Sequence, residues 1–351
     1  MGNIIDYLKW RGDLTLEERP FNDADNLVFA SLAYVDFSAA VADGRSVTLA
    51  EAYEAGCTGC IAGEYPELLK AAGESARFGS VTVNDYVDII DNTGELTQFG
   101  AMRFVLPDGT EYIAFRGTDD TIVGWREDFC ISFEVAAAQK RAAEYMNRVM
   151  KPEGRYYVGG HSKGGNLALF GSTTCNAELV PAIKHIYNND GPGICPEHLD
   201  AERFGLIADR ITRIVPEHSI IGMLFENTGE KLVTKSTASA LLQHFPLTWQ
   251  TERSGMALCE DTDRASQMLN SVIDSWIEEA DEEHRKVFTD EFFGALSANG
   301  AERMQDIADG GLSTFAEILH SMIKLDDMAK ETLKSLFAAF AHALRSGEFR
   351  K

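Results

Sequence analysis

Apolar positions along the chain fall into short runs of β type separated by longer stretches of helical spacing. Asp25–Tyr34 (DNLVFASLAY) has apolar residues at helical intervals and predicts a helix packed on a core. Residues 45–95, broken by glycines, read as a largely helical excursion. Phe99–Leu106 and Glu111–Arg116 are strand-like and flank Pro107-Asp108-Gly109-Thr110, whose residue types favour a tight turn, so a hairpin is predicted there. Residues 133–150 predict an amphipathic helix. Arg155–Val158, Ile183–Asn188 and Ile211–Val215 follow as apolar strand candidates, with a helical run at Asn166–Phe170 between the first two. Ile220–Phe225 and Lys231–Thr234 are also strand-like. From about 260 onward the pattern is helical and acidic, without strand signals. Alternation of apolar strands with helices predicts an α/β fold, a mainly parallel sheet flanked by helices over residues 1–259, followed by a helical C-terminal region over 260–351. No internal repeat or low-complexity tract interrupts this.

With 351 residues, 45% of them hydrophobic, the chain can bury one large core, and disordered or fibrous designs are excluded. Its net charge of -23 opposes a phosphate backbone or an anionic membrane surface, and no Lys/Arg stripe offsets it, so no nucleic-acid partner is expected. Met1-Gly2-Asn3-Ile4-Ile5 lacks the basic and apolar regions of a secretory leader, and no window approaches the roughly 20 apolar residues of a membrane span. The expectation is a cytoplasmic protein without a stable membrane anchor. Of six cysteines only Cys57 and Cys60 are closely spaced. With no second CxxC, no nearby His cluster and no thioredoxin-like context, they read as free thiols, and neither metal nor cofactor is expected.

The candidate chemistry centres on Gly160-His161-Ser162-Lys163-Gly164. In a G-x-S-x-G elbow a serine sits on a sharp strand-to-helix turn that lifts its hydroxyl above a sheet, and the flanking glycines avoid clashes in the turn. Apolar Tyr156-Tyr157-Val158 before it, helix-forming Asn166-Leu167-Ala168-Leu169 after it, and extra glycines at 159 and 165 supply the required context. The Gly-Lys-Ser/Thr ending of a phosphate-binding loop is absent. The competing reading is an ordinary tight turn with an inert serine.

A serine hydroxyl needs a base and a group that orients the base. In this kind of fold the chain order is Ser, acid, His. His161 neighbours the serine and is discounted as pointing away along the turn. The histidines after Ser162 are His185, His198, His218, His244, His284, His320 and His342; His185 falls inside a strand, and the last three fall in the acidic tail. His244, in a turn after the last strand-like run, leads, and His218 is the alternative. Asp190, in Asn188-Asn189-Asp190-Gly191-Pro192-Gly193, ends the strand after the elbow and is the preferred acid, with Glu217 the alternative. As a competing reading, Asp190 caps the turn that follows it. An oxyanion hole would use the backbone N–H of Lys163 and a donor from Phe115-Arg116-Gly117-Thr118, where a glycine permits close approach and the Thr118 hydroxyl braces the donor.

Phe115-Arg116-Gly117-Thr118-Asp119, followed by Gly124-Trp125 and Asp128-Phe129, resembles a segment of class 3 lipases, with the elbow at about the right distance downstream. The resemblance implies an α/β-hydrolase fold, Ser162 as the nucleophile and Thr118 as an oxyanion-hole residue. A closer likeness is to a bacterial lipase-related branch, the Mbeg-like family. It rests on Asp6–Asp13, Asn22 with Asp25-Asn26-Leu27, the elbow, Asn189–Gly193, Ser219–Leu224, and Gln243-His244 with Trp249. The chain departs from class 3 lipases where their acid stands in an Asp-x-Val-Pro segment, because Ser219-Ile220-Ile221-Gly222 occupies that place here.

The expected activity is a serine hydrolase cleaving a carboxylic ester, with a small-molecule ester or lipid-like substrate, through an acyl-enzyme on Ser162. The alternative is an inactive scaffold of the same fold serving as a binding module, with the acidic tail as its contact surface. Acyl transfer to another acceptor, or peptide cleavage, would use the same residues. Residues 119–133, with Trp125 and Phe129, read either as a lid or as ordinary packing.

Overall fold

The structure is a computed structural model. It describes residues 1–61, 63–91, 97–118, 135–219, 221–225, 229–238 and 240–262, together with positions 126, 130, 131, 267, 285–287, 289 and 290. Among the described residues the main sheet has nine strands: β1 (Val47–Thr48), β2 (Thr82–Asp91), β3 (Thr97–Val105), β4 (Glu111–Phe115), β5 (Tyr156–His161), β6 (Ile183–Asn189), β7 (Ile211–Pro216), β8 (Glu230–Thr234) and β9 (Leu258–Cys259). They lie side by side in their order along the chain. From β4 to β8 each neighbouring pair is parallel, and both flanks of the sheet are antiparallel. This is an α/β-hydrolase fold.

Sequential strand order has a consequence for the helices. Crossovers between parallel neighbours share one hand, so helices inserted between successive strands land on one face of the sheet. Helices α5 (Ala137–Val149), α6 (Lys163–Thr174) and α7 (Ala201–Gly205) do this, packing Ala142, Met146, Leu167 and Phe204 on Ile113, Val158 and Ile186. The opposite face must be covered from elsewhere. It is covered by the N-terminal helices α1 (Ile4–Arg11), α2 (Asp23–Leu32), α3 (Leu49–Glu54) and α4 (Tyr65–Gly73), whose Leu27, Phe29 and Leu68 join Tyr112, Ala114, Ile214 and Trp249 in a second core. Along β4 the residues alternate strictly between the two cores: Tyr112 and Ala114 to one, Ile113 and Phe115 to the other.

Helix α2 begins at an Asn22 cap: its side chain accepts from the Ala24 N–H, and Asp25 accepts from the Asn22 N–H. The same Asp25, fully buried, forms a two-point ion pair with Arg77 at 2.8 and 2.5 Å.

The predicted hairpin is present as β3 and β4, with Gly109 at φ 75° in its turn. Two expectations are corrected. The helical excursion over 45–95 gives way at Thr82 to β2, a ten-residue strand. The register of β2 on β3 shifts between Asn84 and Val87, with Asp85 at φ 51°, and this bulge breaks the alternation that would have marked a strand. The strand expected over Ile220–Phe225 is not formed at 221–225, where Ile221–Met223 is a short 3-10 turn; Ile220 lies outside the described residues. Its polar groups are spent locally: the Gly222 N–H donates to Asp190 Oδ1, the Gly222 carbonyl accepts from Arg213, and the Leu224 carbonyl accepts from the Gly193 N–H.

Of the expected helical tail, 260–351, the structure describes 260–262, which are not helical, and positions 267, 285–287, 289 and 290, which are; the rest lies outside the described residues. The 119–133 segment, with Trp125 and Phe129, also lies outside them apart from Arg126, Cys130 and Ile131. None of the six cysteines is in a disulfide. Among the described residues no helix is long and apolar enough to cross a membrane.

Candidate active site

Ser162 stands between β5 and α6 at φ 57°, ψ −132°. A side-chain-bearing residue pays on the order of 1–3 kcal/mol for so sparse a conformation, which persists only where the surroundings enforce it. The surroundings here are tight. A Cβ at Gly160 would stand 2.5 Å from the carbonyl oxygens of Gly164 and Phe115, and one at Gly164 would overlap the Phe115 carbonyl. The Ser162 N–H donates to the Asn189 carbonyl at 2.9 Å, and the Asp190 N–H to the Ile214 carbonyl at 2.8 Å. Ser162 and Asp190 are thus fixed at the carboxyl ends of adjacent parallel strands, where ligand-facing groups of such sheets collect.

His244 ends the 3-10 turn Ala240–His244 and lies over this sheet edge. Its Nε2 is 2.8 Å from Ser162 Oγ, and its Nδ1 is 2.7 Å from Asp190 Oδ2. The other carboxylate oxygen of Asp190 accepts from Ser219 Oγ at 2.5 Å and from the Gly222 N–H at 3.2 Å. Ser219 therefore stands behind the carboxylate that faces the imidazole. All three candidate residues are at most 8% exposed. An Nδ1–H bonded to a buried carboxylate leaves Nε2 free to accept the serine proton, the arrangement that nucleophilic catalysis by serine requires.

The alternative candidates stand elsewhere. His218 Nδ1 is bonded to the Gln243 side chain, and the Glu217 carboxyl faces the Cys259 thiol, whose pKa rises to about 11 through burial and that carboxyl. His185 bonds Thr212 from within β6. His284, His320 and His342 lie outside the described residues.

Lys163, following the serine, opens α6 at the positive end of the helix dipole, and its own Nζ reaches the Gln98 carbonyl at 3.0 Å. The Arg116-Gly117-Thr118 loop packs directly on the elbow. A Cβ at Gly117 would stand 3.2 Å from the Cβ of Ser162, 2.5 Å from the His161 carbonyl oxygen and in overlap with the Tyr34 hydroxyl. Thr118 is buried beside it. The loop is anchored by Arg116, which grips Asp88 at 3.0 and 2.5 Å. Burial alone would lower the Arg116 pKa, but bonding to Asp88 more than offsets this and holds the guanidinium above its ordinary range.

His161 is the residue that sequence reasoning set aside. Its ring is buried, with Nδ1 2.9 Å from the Tyr34 hydroxyl and Nε2 2.7 Å from the His244 carbonyl oxygen. Burial, and then the adjacent His244, hold its pKa well below the usual imidazole range. No spacing rule reveals this contact, because its two ends are 83 residues apart. Among the described residues no cluster of His, Cys, Asp and Glu could hold a metal ion.

Comparison with known proteins adds a family. No curated protein matches the chain. Five solved chains match, among them M37 lipase, at 16% identity and a TM-score of 0.37, covering 58% of this chain and 70% of that one. The Mbeg1-like family model matches residues 72–294, more than half of the 351. The chain belongs to the Mbeg1-like family.

Proposed function

We propose that this protein is a serine hydrolase of carboxylic esters, working through an acyl-enzyme on Ser162. The observation that carries the reading is the unbroken hydrogen-bonded chain from Ser162 Oγ through the His244 ring to Asp190. In the proposed cycle His244 Nε2 takes the hydroxyl proton as Ser162 Oγ attacks the ester carbonyl. The imidazolium then gives that proton to the departing alkoxide, so an alcohol leaves and an acyl-serine remains. Water repeats the sequence, releasing the acid and restoring the serine. Asp190 keeps its charge throughout and stabilises the imidazolium.

The N–H of Lys163 and the Thr118 side of the Arg116–Thr118 loop are the proposed oxyanion donors. Losing one such donor typically costs on the order of 10²–10³ in rate. The substrate class is a small-molecule ester or lipid-like ester, and residues 1–259 are the proposed catalytic unit.

A scaffold without activity has no need of an orienting acid and a strained serine in one hydrogen-bonded line, so the hydrolase reading is preferred. The test is intact mass after treatment with a fluorophosphonate. One adduct per chain, absent in Ser162→Ala together with p-nitrophenyl ester turnover, is the expected result. An unmodified wild-type protein, or undiminished turnover in Ser162→Ala, overturns the reading.

A further inference from the structure

The geometry points to His161 as a positioning residue for His244, setting the distance between the base and the serine through the main chain rather than through either side chain. The inference rests on the hydrolase reading and deepens it.

A carbonyl oxygen can only accept, so the 2.7 Å contact between His161 Nε2 and the His244 carbonyl places a proton on Nε2. Nδ1 then has a lone pair to offer, and the Tyr34 hydroxyl donates to it at 2.9 Å. Both ring nitrogens are thereby committed in one tautomer. His161 is also covalently the neighbour of Ser162, so any displacement of its ring relative to the His244 carbonyl is a displacement between the two reacting residues. The two imidazoles lie 4.7 Å apart between centroids.

A second tie acts one residue earlier. The indole Nε1–H of Trp249, fully buried, donates to the Gln243 carbonyl at 2.7 Å. Two consecutive carbonyls, those of Gln243 and His244, are therefore each held by a buried ring N–H. His244 belongs to a 3-10 turn, without the ladder of hydrogen bonds that fixes Ser162 and Asp190 at strand ends, and these ties replace that ladder. Both ring nitrogens of His161 are taken up by Tyr34 and the His244 carbonyl. His161 acts through His244.

The experiment compares His161→Gln with His161→Asn in the full chain. A glutamine amide can reach the place of Nε2 and keep a donor on the His244 carbonyl, whereas asparagine is one carbon shorter and reaches only the place of Nδ1. The readouts are the second-order rate of Ser162 modification by a fluorophosphonate, kcat and KM separately for a p-nitrophenyl ester, and the low-field proton resonance of the His244–Asp190 hydrogen bond. Misplacement of a reacting group by about 1 Å can cost ~10²-fold. His161→Asn is expected to lose labelling rate and kcat on that order with KM little changed, and to lose the low-field resonance, while His161→Gln stays within about tenfold of wild type. Equal rates in both variants, whether both fast or both slow, overturn the positioning role, as does a retained low-field resonance in His161→Asn. If wild-type protein takes no adduct at all, the hydrolase reading falls and this inference with it. Normal wild-type labelling with indistinguishable variants sinks the inference alone.

Discussion

Asp190 serves two directions at once: Oδ2 faces the His244 ring, and Oδ1 takes the Ser219 hydroxyl and the Gly222 N–H. An amide in its place offers one oxygen and one NH₂. If the oxygen stays on the Ser219 side, the NH₂ meets His244 and drives the proton to Nε2, where it opposes acceptance of the serine proton. Asp190→Asn is therefore expected to fold normally and to lose on the order of 10⁴ in kcat, read with a p-nitrophenyl ester and checked by circular dichroism. A second residue-scale consequence concerns acid. His161 is neutral when folded, facing Tyr34 and His244, but takes a proton near pH 6.5 when unfolded. In that window the unfolded chain binds more protons, so stability is full above about pH 6.5 and falls as the pH drops toward the folded pKa, by about 1.4 kcal/mol per pH unit. His185, also depressed by burial, adds in the same direction. Urea titrations between pH 5 and 7 should give a slope shallower by one proton in His161→Gln than in wild type, and an unchanged slope would remove His161 from the account.

At the scale of elements, the elbow stores strain that a variant can release. Ser162→Gly removes the Cβ from a residue at φ 57°, while Ser162→Ala keeps it, and both lack the hydroxyl. The glycine variant is expected to be the more stable by about 1 kcal/mol, despite glycine's greater freedom when unfolded. Thermal melts of the two side by side decide this, and an alanine variant that melts higher would mean that the backbone is not strained. The elbow was also the most legible element of the sequence, because its glycines answer to a local steric demand. The hairpin, α2 and the strands β5, β6 and β7 were legible for a similar reason, since their periodicity is local. Signals of other kinds were lost. The bulge at Asn84–Val87 hid β2, and the apolar run at Ile221–Leu224 imitates a strand although its backbone is bonded to Asp190, Arg213 and Gly193. Chain order and turn context pointed to Ser162, Asp190 and His244. The contacts of His161, Tyr34 and Ser219 join distant segments, and no spacing encodes them.

In the whole molecule, strands laid down in chain order leave one sheet face to the N-terminal helices, although the family match begins only at residue 72. The Asp25–Arg77 pair ties those helices to the rest, with Arg77 also donating to the carbonyls of Leu14, Thr15 and Arg19. Arg77→Met would strand a fully buried carboxylate, at an expected cost of about 3–5 kcal/mol in urea unfolding. A loss under 1 kcal/mol would show that the N-terminal cover is held by apolar packing alone.

The placement of His244 also has a chronology. Ser162 and Asp190 sit 28 residues apart at the ends of neighbouring strands, but the segment bearing His244 is sealed by pairing of Thr251 with Gly2 and by the Asn3 side chain on the Leu247 carbonyl, contacts that span nearly 250 positions. Loop closure over such a distance comes late in folding. On the proposed reading, a nascent or half-folded chain would carry the nucleophile without its base, and reactivity would arrive only with the final docking. In refolding from urea, fluorophosphonate reactivity should lag the return of far-ultraviolet dichroism, and simultaneous recovery would mean that the His244 segment docks together with the sheet.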